Sequence, residues 1–294
     1  MSLISRKNIL QYSLLVFIFV LVAASFLVNR YLFSDEPIKA IISKIEPATT
    51  VVIYGDSRSN PVVHQKIVNQ ISKNKPAAIF HVGDLVDEPE NKKEWESVKA
   101  VIKPLQDNSL FFVAAGNHEK ESLEYYDNFT LPGNEKWYSW DVASTHFIVL
   151  NTNLETNLNS EQYQWVKQDL ESAAKSKFII VITHHPYLSV GWHAKEKNNF
   201  NQDLNNLFIK HKVAVVFSGH EHNYERFLDN NINYIVTGGG GAPLHDQSID
   251  SKKLKQFAKA YNFCLLSIEE NKIIITTLND DGQEIDSLSL NSLP

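Results

Sequence analysis

A chain of 294 residues, 43% hydrophobic and 21% charged, has the make-up of a globular protein with one large domain or two small ones. Its net charge of −6, with no long Lys/Arg cluster, leaves no nucleic-acid footprint. The single cysteine, Cys264, lies in an apolar strand-like run, which excludes an internal disulfide and a thiolate metal cluster.

Residues 1–30 read as an N-terminal membrane anchor, a transmembrane helix. The run from Ile9 to Val28 is apolar except for Gln11, Tyr12, Ser13 and Ser25. As a helix it spans roughly 30 Å, about the thickness of bilayer hydrocarbon. Arg6 and Lys7 ahead of it place the N-terminus in the cytoplasm and the body of the protein outside, on the periplasmic or extracellular side. The alternative is a signal sequence cut near Ala23-Ala24-Ser25, followed by secretion. Residues 31–48, with Pro37 and Pro47, read as a linker, and residues 49–294 as the globular domain.

That domain opens with strand-helix alternation. Thr49 to Tyr54 is a strand ending at Gly55-Asp56, and Pro61 to Lys75 a helix with Val63, Ile67, Val68 and Ile71 on one face. Ala77 to Val82 is a strand ending at Gly83-Asp84. A helix over Glu94 to Ile102 precedes the strand Leu110 to Ala115, which ends at Gly116-Asn117-His118. Such β-α-β units imply parallel strands. Trp137 to Trp140 and His146 to Leu150 then read as an antiparallel pair, and Ser160 as the N-cap of a helix to Ala174. Phe178 to Thr183 is a strand ending at His184-His185-Pro186. Leu204 to Lys210 is helical, and Val213 to Phe217 is a buried strand ending at Gly219-His220-Glu221-His222. Strands at Asn233 to Thr237, Phe263 to Ile268, Lys272 to Leu278 and Ile285 to Leu290 complete an α/β domain of two packed sheets flanked by helices.

Five strand ends thus carry Asp56, Asp84, Asn117, His184, and the pair His220 and His222. Ligand sites in α/β sheets form outside the carboxyl ends of the strands. These oxygen and imidazole ligands suffice for two divalent metal ions. If the backbone stays extended through His220-Glu221-His222, both imidazoles point to one side and Glu221 turns away.

The series Gly55-Asp56, Gly83-Asp84, Gly116-Asn117-His118-Glu119, Val181 to His184 and Gly219 to His222 resembles the calcineurin-like metallophosphoesterases. His222-Asn223-Tyr224-Glu225-Arg226 and Tyr234 to Gly239 bring it nearest to the purple acid phosphatase branch. The resemblance covers about residues 50 to 241. It implies a four-layer αββα sandwich with two central mixed β-sheets, and a dinuclear centre of two divalent ions per chain (Mn, Fe or Zn). In it Asp84 bridges the metals, Asp56 and His222 complete one, and Asn117, His184 and His220 the other. A water held between the ions, ionised at neutral pH, is then the nucleophile toward phosphorus. By the same resemblance His118 steadies the phosphoryl group or protonates the leaving oxygen, and His193, nine residues after His184, contacts substrate. His185 is read as lying behind the ligands or as packing. His64, His81, His146, His211 and His245 carry no motif.

Two positions depart from the family. Arg58 stands where many members have a metal-binding histidine. Asp87 stands where purple acid phosphatases have the tyrosine that binds ferric iron. Arg58 cannot ligate, and is expected to clamp a phosphate oxygen instead. Without the tyrosine, no tyrosinate-to-iron colour is expected. The function so read is metal-dependent phosphate-ester hydrolysis, foremost of phosphomonoesters. The alternatives are a phosphodiesterase or nucleotidase on the same centre, and a non-catalytic protein that keeps the fold to bind a partner. Asp and His are missing at positions 224 and 225, which excludes the H-x-H-x-D-H pattern of metallo-β-lactamases.

Overall fold

The structure, a computed structural model, describes residues 49–292. The apolar run at residues 9–28 and the linker at residues 31–48 lie outside the described residues. Among the described residues, no helix is long and apolar enough to cross a membrane.

Two mixed sheets form the middle of an α/β sandwich. The first sheet contains β1 (Thr49–Tyr54), β2 (Ala78–His81) and β3 (Leu110–Val113), which run parallel. β1 is flanked on its other side by the antiparallel strands β11 (Asn262–Ile268), β12 (Lys272–Asn279) and β13 (Glu284–Asn291). The second sheet has the order β10-β8-β9-β7-β6-β5-β4. Its parallel core is β5 (Thr145–Val149), β6 (Phe178–Ile182), β7 (Val215–Ser218) and β9 (Ile232–Thr237). β4 (Tyr138–Val142), β8 (Tyr224–Asp229) and β10 (Leu254–Ala258) join it antiparallel.

The facing surfaces of the two sheets bury one core. Phe80 stacks on Phe112 and Phe147, with ring centroids 4.9 and 4.6 Å away, beside Ile53, Ile180, Phe217 and Ile235. The outer face of the first sheet is covered by α1 (Pro61–Lys73) and α2 (Lys92–Gln106), through Ile67, Val68, Ile71, Val101 and Leu105. The outer face of the second is covered by α4 (Glu161–Ser172) and α5 (Gln202–Lys210), through Val166, Leu170, Leu204 and Phe208. Helices thus lie outside both sheets. A short α3 (Leu123–Asn128) is capped by the Ser122 side chain.

Several boundaries differ from those read in the sequence. α2 continues past Ile102 to Gln106 with Pro104 inside it, because Leu105 carries the buried stripe one turn further. α3, β8 and β10 were not read as elements. α3 has only six residues. β8 is Tyr-Glu-Arg-Phe-Leu-Asp, a polar strand built by pairing with β9 rather than by its own apolarity. β10 is a partly exposed edge strand with a register shift between Leu254 and Gln256.

Candidate metal centre

The carboxyl ends of β1, β2, β3, β6 and β7 meet at one rim. Two glycines make the approach possible. Gly83 has φ +97°, and a Cβ there would lie 2.7 Å from the Gly116 nitrogen. A Cβ at Gly219 would lie 2.2 Å from Asp56 Oδ2. The residues after Gly55, Gly83 and Gly219 are themselves left-handed: Asp56 at φ 55°, Asp84 at 59° and His220 at 69°. Non-glycine residues held there cost on the order of 1 kcal/mol each, and such strain concentrates at functional sites.

The left-handed His220 also corrects one expectation. The backbone is not extended from His220 to His222, so the two imidazoles do not converge. His220 Nδ1 lies 2.9 Å from Asn117 Oδ1. His222 Nε2 instead faces Asp56 Oδ1 at 3.7 Å. Each histidine serves a different half of the site.

In the half around Asn117, Asn117 Oδ1 also lies 2.8 Å from His184 Nε2, and His184 Nε2 lies 3.5 Å from Asp84 Oδ1. His184 Nδ1 sits 2.8 Å from the Val82 carbonyl, which can only accept. Burial drives the His184 pKa well below its ordinary value, so the ring is neutral and its one proton is on Nδ1. The lone pair on Nε2 therefore faces the Asn117 and Asp84 oxygens. His220 is neutral too, burial depressing its pKa, and a cation on Nδ1 would leave the ring proton on Nε2, 3.4 Å from Glu196 Oε2. His222 repeats the His184 pattern: its Nδ1 meets the Pro243 carbonyl at 2.8 Å and burial lowers its pKa to about 4. Outer nitrogens donated to oxygen, with inner lone pairs turned toward more lone pairs, are the arrangement of metal-binding histidine. Asp84, Asn117, His184 and His220 fit one divalent cation.

The other half fits less well. It gathers Asp56, Asp84 and His222, but the Arg58 guanidinium is there too. Nε lies 3.4 Å from Asp84 Oδ2, Nη1 2.5 Å from Asp87 Oδ1 and Nη2 3.5 Å from His222 Nε2. Arg58 is thus held by carboxylates of the site itself.

His118 Nδ1 meets the Asp87 carbonyl at 2.8 Å and aims Nε2 toward Asp84, 3.9 Å from Oδ2. The His193 ring centroid is 4.4 Å from that of His220. The His185 ring is 4.7 Å from His220, its Nδ1 is 2.9 Å from Thr152 Oγ1, and burial lowers its pKa to about 4. His185 therefore joins the rim. His184, His185 and His220 form one group of ligand atoms near enough to share a cation, and Asp56, Asp84 and His184 another.

Sequence reasoning missed the residues that hold this rim. Buried Glu119 accepts the N–H groups of Asp84 (3.0 Å), Leu85 (2.7 Å) and Gly116 (2.6 Å), locking two strand ends together. Its position directly after Asn117-His118 was the available signal. Buried Glu221 accepts the Trp192 N–H at 2.9 Å, the His193 N–H and, at 3.1 Å, His245 Nδ1. Glu225 accepts the Val190 N–H at 2.9 Å. Both glutamates of the His-Glu-His-Asn-Tyr-Glu stretch therefore pin the loop that carries His193. His245, assigned no role from sequence, stacks on His222 at 4.1 Å. Arg226 grips Asp286 with Nε at 2.5 Å and Nη2 at 3.1 Å, and the Tyr224 hydroxyl donates to the same carboxylate, tying β8 to β13 of the other sheet.

A two-sheet α/β sandwich with neutral histidines gathered beside carboxylates at its strand ends makes this rim a candidate metal centre. A sequence model of the calcineurin-like phosphoesterase family matches residues 36–224, and the chain belongs to that family. Purple acid phosphatase 22 of Arabidopsis thaliana is 29% identical over 163 residues, 49% of this chain and 38% of that protein. Probable inactive purple acid phosphatase 1 of the same plant is 26% identical over 266 residues, 74% of this chain and 43% of that protein. The chain thus spans about two fifths of the length of these relatives. Purple acid phosphatase PPD1 from yellow lupin (Lupinus luteus) seeds shares the fold, with a TM-score of 0.78 over 84% of this chain and 54% of that one, at 21% identity.

Proposed function

We propose that residues 49–294 form a metal-dependent phosphatase acting on phosphomonoesters. The observation that carries this reading is the set of inward lone pairs on His184, His220 and Asn117 beside the Asp84 carboxylate. Without a cation the His184 Nε2 lone pair faces the Asn117 oxygen at 2.8 Å with no proton between them. A divalent cation held there supplies Lewis acidity toward phosphoryl oxygens and acidifies water.

The chain's own groups do the rest. Arg58 presents a fixed positive charge to the phosphoryl group from the opposite half of the rim. His118, with Nδ1 donating to the Asp87 carbonyl, turns Nε2 into the site, and in its imidazolium form would give the Nε2 proton to the leaving oxygen. His193 is kept at the mouth by Glu221. Two clefts flank the site. One, of about 90 Å³, is lined by His193, Glu196, Lys197 and His220. The other, of about 260 Å³, adjoins Arg58 and Asp87 and has Val86, Val98 and Lys93 in its wall. Residues 1–30, read as a membrane anchor, would hold this domain on the outer side of the membrane.

The test is a panel of phosphate esters with added Mn or Zn. Faster turnover of p-nitrophenyl phosphate than of its bis ester supports the monoesterase reading. The reverse order moves the protein to the diesterases. No turnover of any ester by metal-loaded protein would leave only the binding role.

A further inference from the structure

The two departures from the family pattern are 29 positions apart in the chain, yet they touch. Arg58 Nη1 lies 2.5 Å from Asp87 Oδ1. Ser59 Oγ bridges both Asp87 oxygens at 2.7 and 2.9 Å, and accepts from Arg58 Nη1 at 3.2 Å. The guanidinium is therefore fixed on its outer side. On its inner side it meets Asp84 Oδ2 at 3.4 Å and His222 Nε2 at 3.5 Å. These are two of the three ligands available to a cation in that half, the third being Asp56. A cation there would share Asp84 and His222 with a side chain that is always positive. At such separations a divalent ion and a guanidinium repel strongly unless solvent screens them, and Arg58 is only 16% exposed. In the opposite half Arg58 reaches only the shared Asp84, through Oδ2. Among the described residues, no Lys or Arg is hydrogen-bonded or ion-paired there to Asn117, His184 or His220.

We infer that the centre is asymmetric: one divalent cation binds tightly between Asp84, Asn117, His184 and His220, while the Arg58 guanidinium, fixed by Asp87, stands in for the second cation and presents its charge to the phosphoryl group. The pairing accounts for both substitutions together. An arginine in this half needs a carboxylate to hold it, and a tyrosine at position 87 would not supply one. The loss of the histidine and the tyrosine removes two ligands from the half that Arg58 occupies. That Arg58 faces a phosphoryl group rests on the phosphatase reading above; the metal stoichiometry does not.

The test is the metal content of the purified protein after loading with Zn and exhaustive dialysis, together with calorimetric titration of the stripped protein. The wild type should retain about one ion per chain. Any second ion should bind at least about a hundredfold more weakly, given the repulsion of like charges at this distance. Arg58→His restores a ligand and should retain about two. Arg58→Ala removes the charge without adding a ligand, and should tighten the second ion by at least about tenfold. Thermal melts identify any variant that fails to fold, and the alanine variant then decides the matter. Two ions of similar affinity in the wild type would overturn the inference, as would a folded Arg58→Ala protein whose second ion binds no better. Hydrolysis is scored separately. One tight ion without turnover leaves the asymmetric centre standing and removes the phosphatase reading, and two equal ions with turnover do the opposite.

Discussion

Histidine meets carboxylate in two places in this molecule, with opposite results. At the rim, His184, His220 and His222 are neutral and turn lone pairs inward. At the β4–β5 edge, His146 is clamped on both sides, with Nδ1 2.6 Å from Asp141 and Nε2 2.8 Å from Asp169. Burial alone would lower its pKa, but the two carboxylates overcome that and raise it to about 9. The residue types are the same. What differs is where the outer nitrogens go. Carbonyls of Val82 and Pro243 take the one proton of His184 and of His222 and leave the second nitrogen bare, while His220 has a single carboxylate, Glu196, at its outer nitrogen. Two carboxylates around His146 demand two protons. The first arrangement makes ligands for a cation, and the second makes a structural cation that pins α4 to the sheet.

The largest effect should come from breaking the rim. Asp84→Asn or His220→Ala should each lower turnover of a phosphomonoester at least about a thousandfold, since each removes a group that holds the cation. A thermal melt of each variant separates this loss from unfolding. A folded Asp84→Asn protein that keeps a tenth of wild-type turnover would remove Asp84 from the centre.

Breaking the edge should do the reverse. His146→Gln should leave turnover within about twofold and cost stability on the order of 2 kcal/mol at pH 6, a value discounted because Asp141 is 73% exposed. The sign follows from a folded pKa raised above the ordinary 6.5. The stabilisation is complete below about pH 6.5 and is lost as the pH rises through about 9. Denaturant melts of wild type and variant should therefore converge at alkaline pH. A constant difference from pH 6 to pH 10 would show that His146 contributes packing, not charge.

A smaller effect is expected at Glu221. Glu221→Gln loses charge-assisted acceptance of the Trp192 and His193 N–H groups, and should raise KM roughly three- to tenfold with kcat changed less. An equal fall in kcat with KM unchanged would place Glu221 among the groups acting on the transition state. The smallest change is a null one. Protein loaded with iron in air should stay colourless, because Asp87 occupies the tyrosine position; a visible tyrosinate band would mean that some tyrosine reaches the metal.

The rim was legible in the sequence because each candidate ligand follows an apolar run that ends in glycine or at a strand terminus. Asp56, Asp84, Asn117 and His184 could be placed on that basis alone. The residues behind them could not. Glu221 and Glu225 act through a loop more than 25 positions earlier, at Val190, Trp192 and His193. Their reach depends on the left-handed turn at His220, which no local pattern announces. The contact between Arg58 and Asp87 was equally hidden. Each residue was visible as a departure, but their partnership is a product of β1 and β2 lying side by side. The His146 clamp draws on β4, β5 and α4, and has no sequence signature at all.

The claim that the rim histidines are a cation site put to work on phosphate esters is tested most directly by chelation. Metal should be stripped from wild-type and His146→Gln proteins, and turnover of p-nitrophenyl phosphate followed as Zn or Mn is returned. We expect both stripped proteins to fall roughly a thousandfold, and both to recover in step with the metal bound. Stripped protein that turns over as fast as loaded protein would contradict the metal assignment.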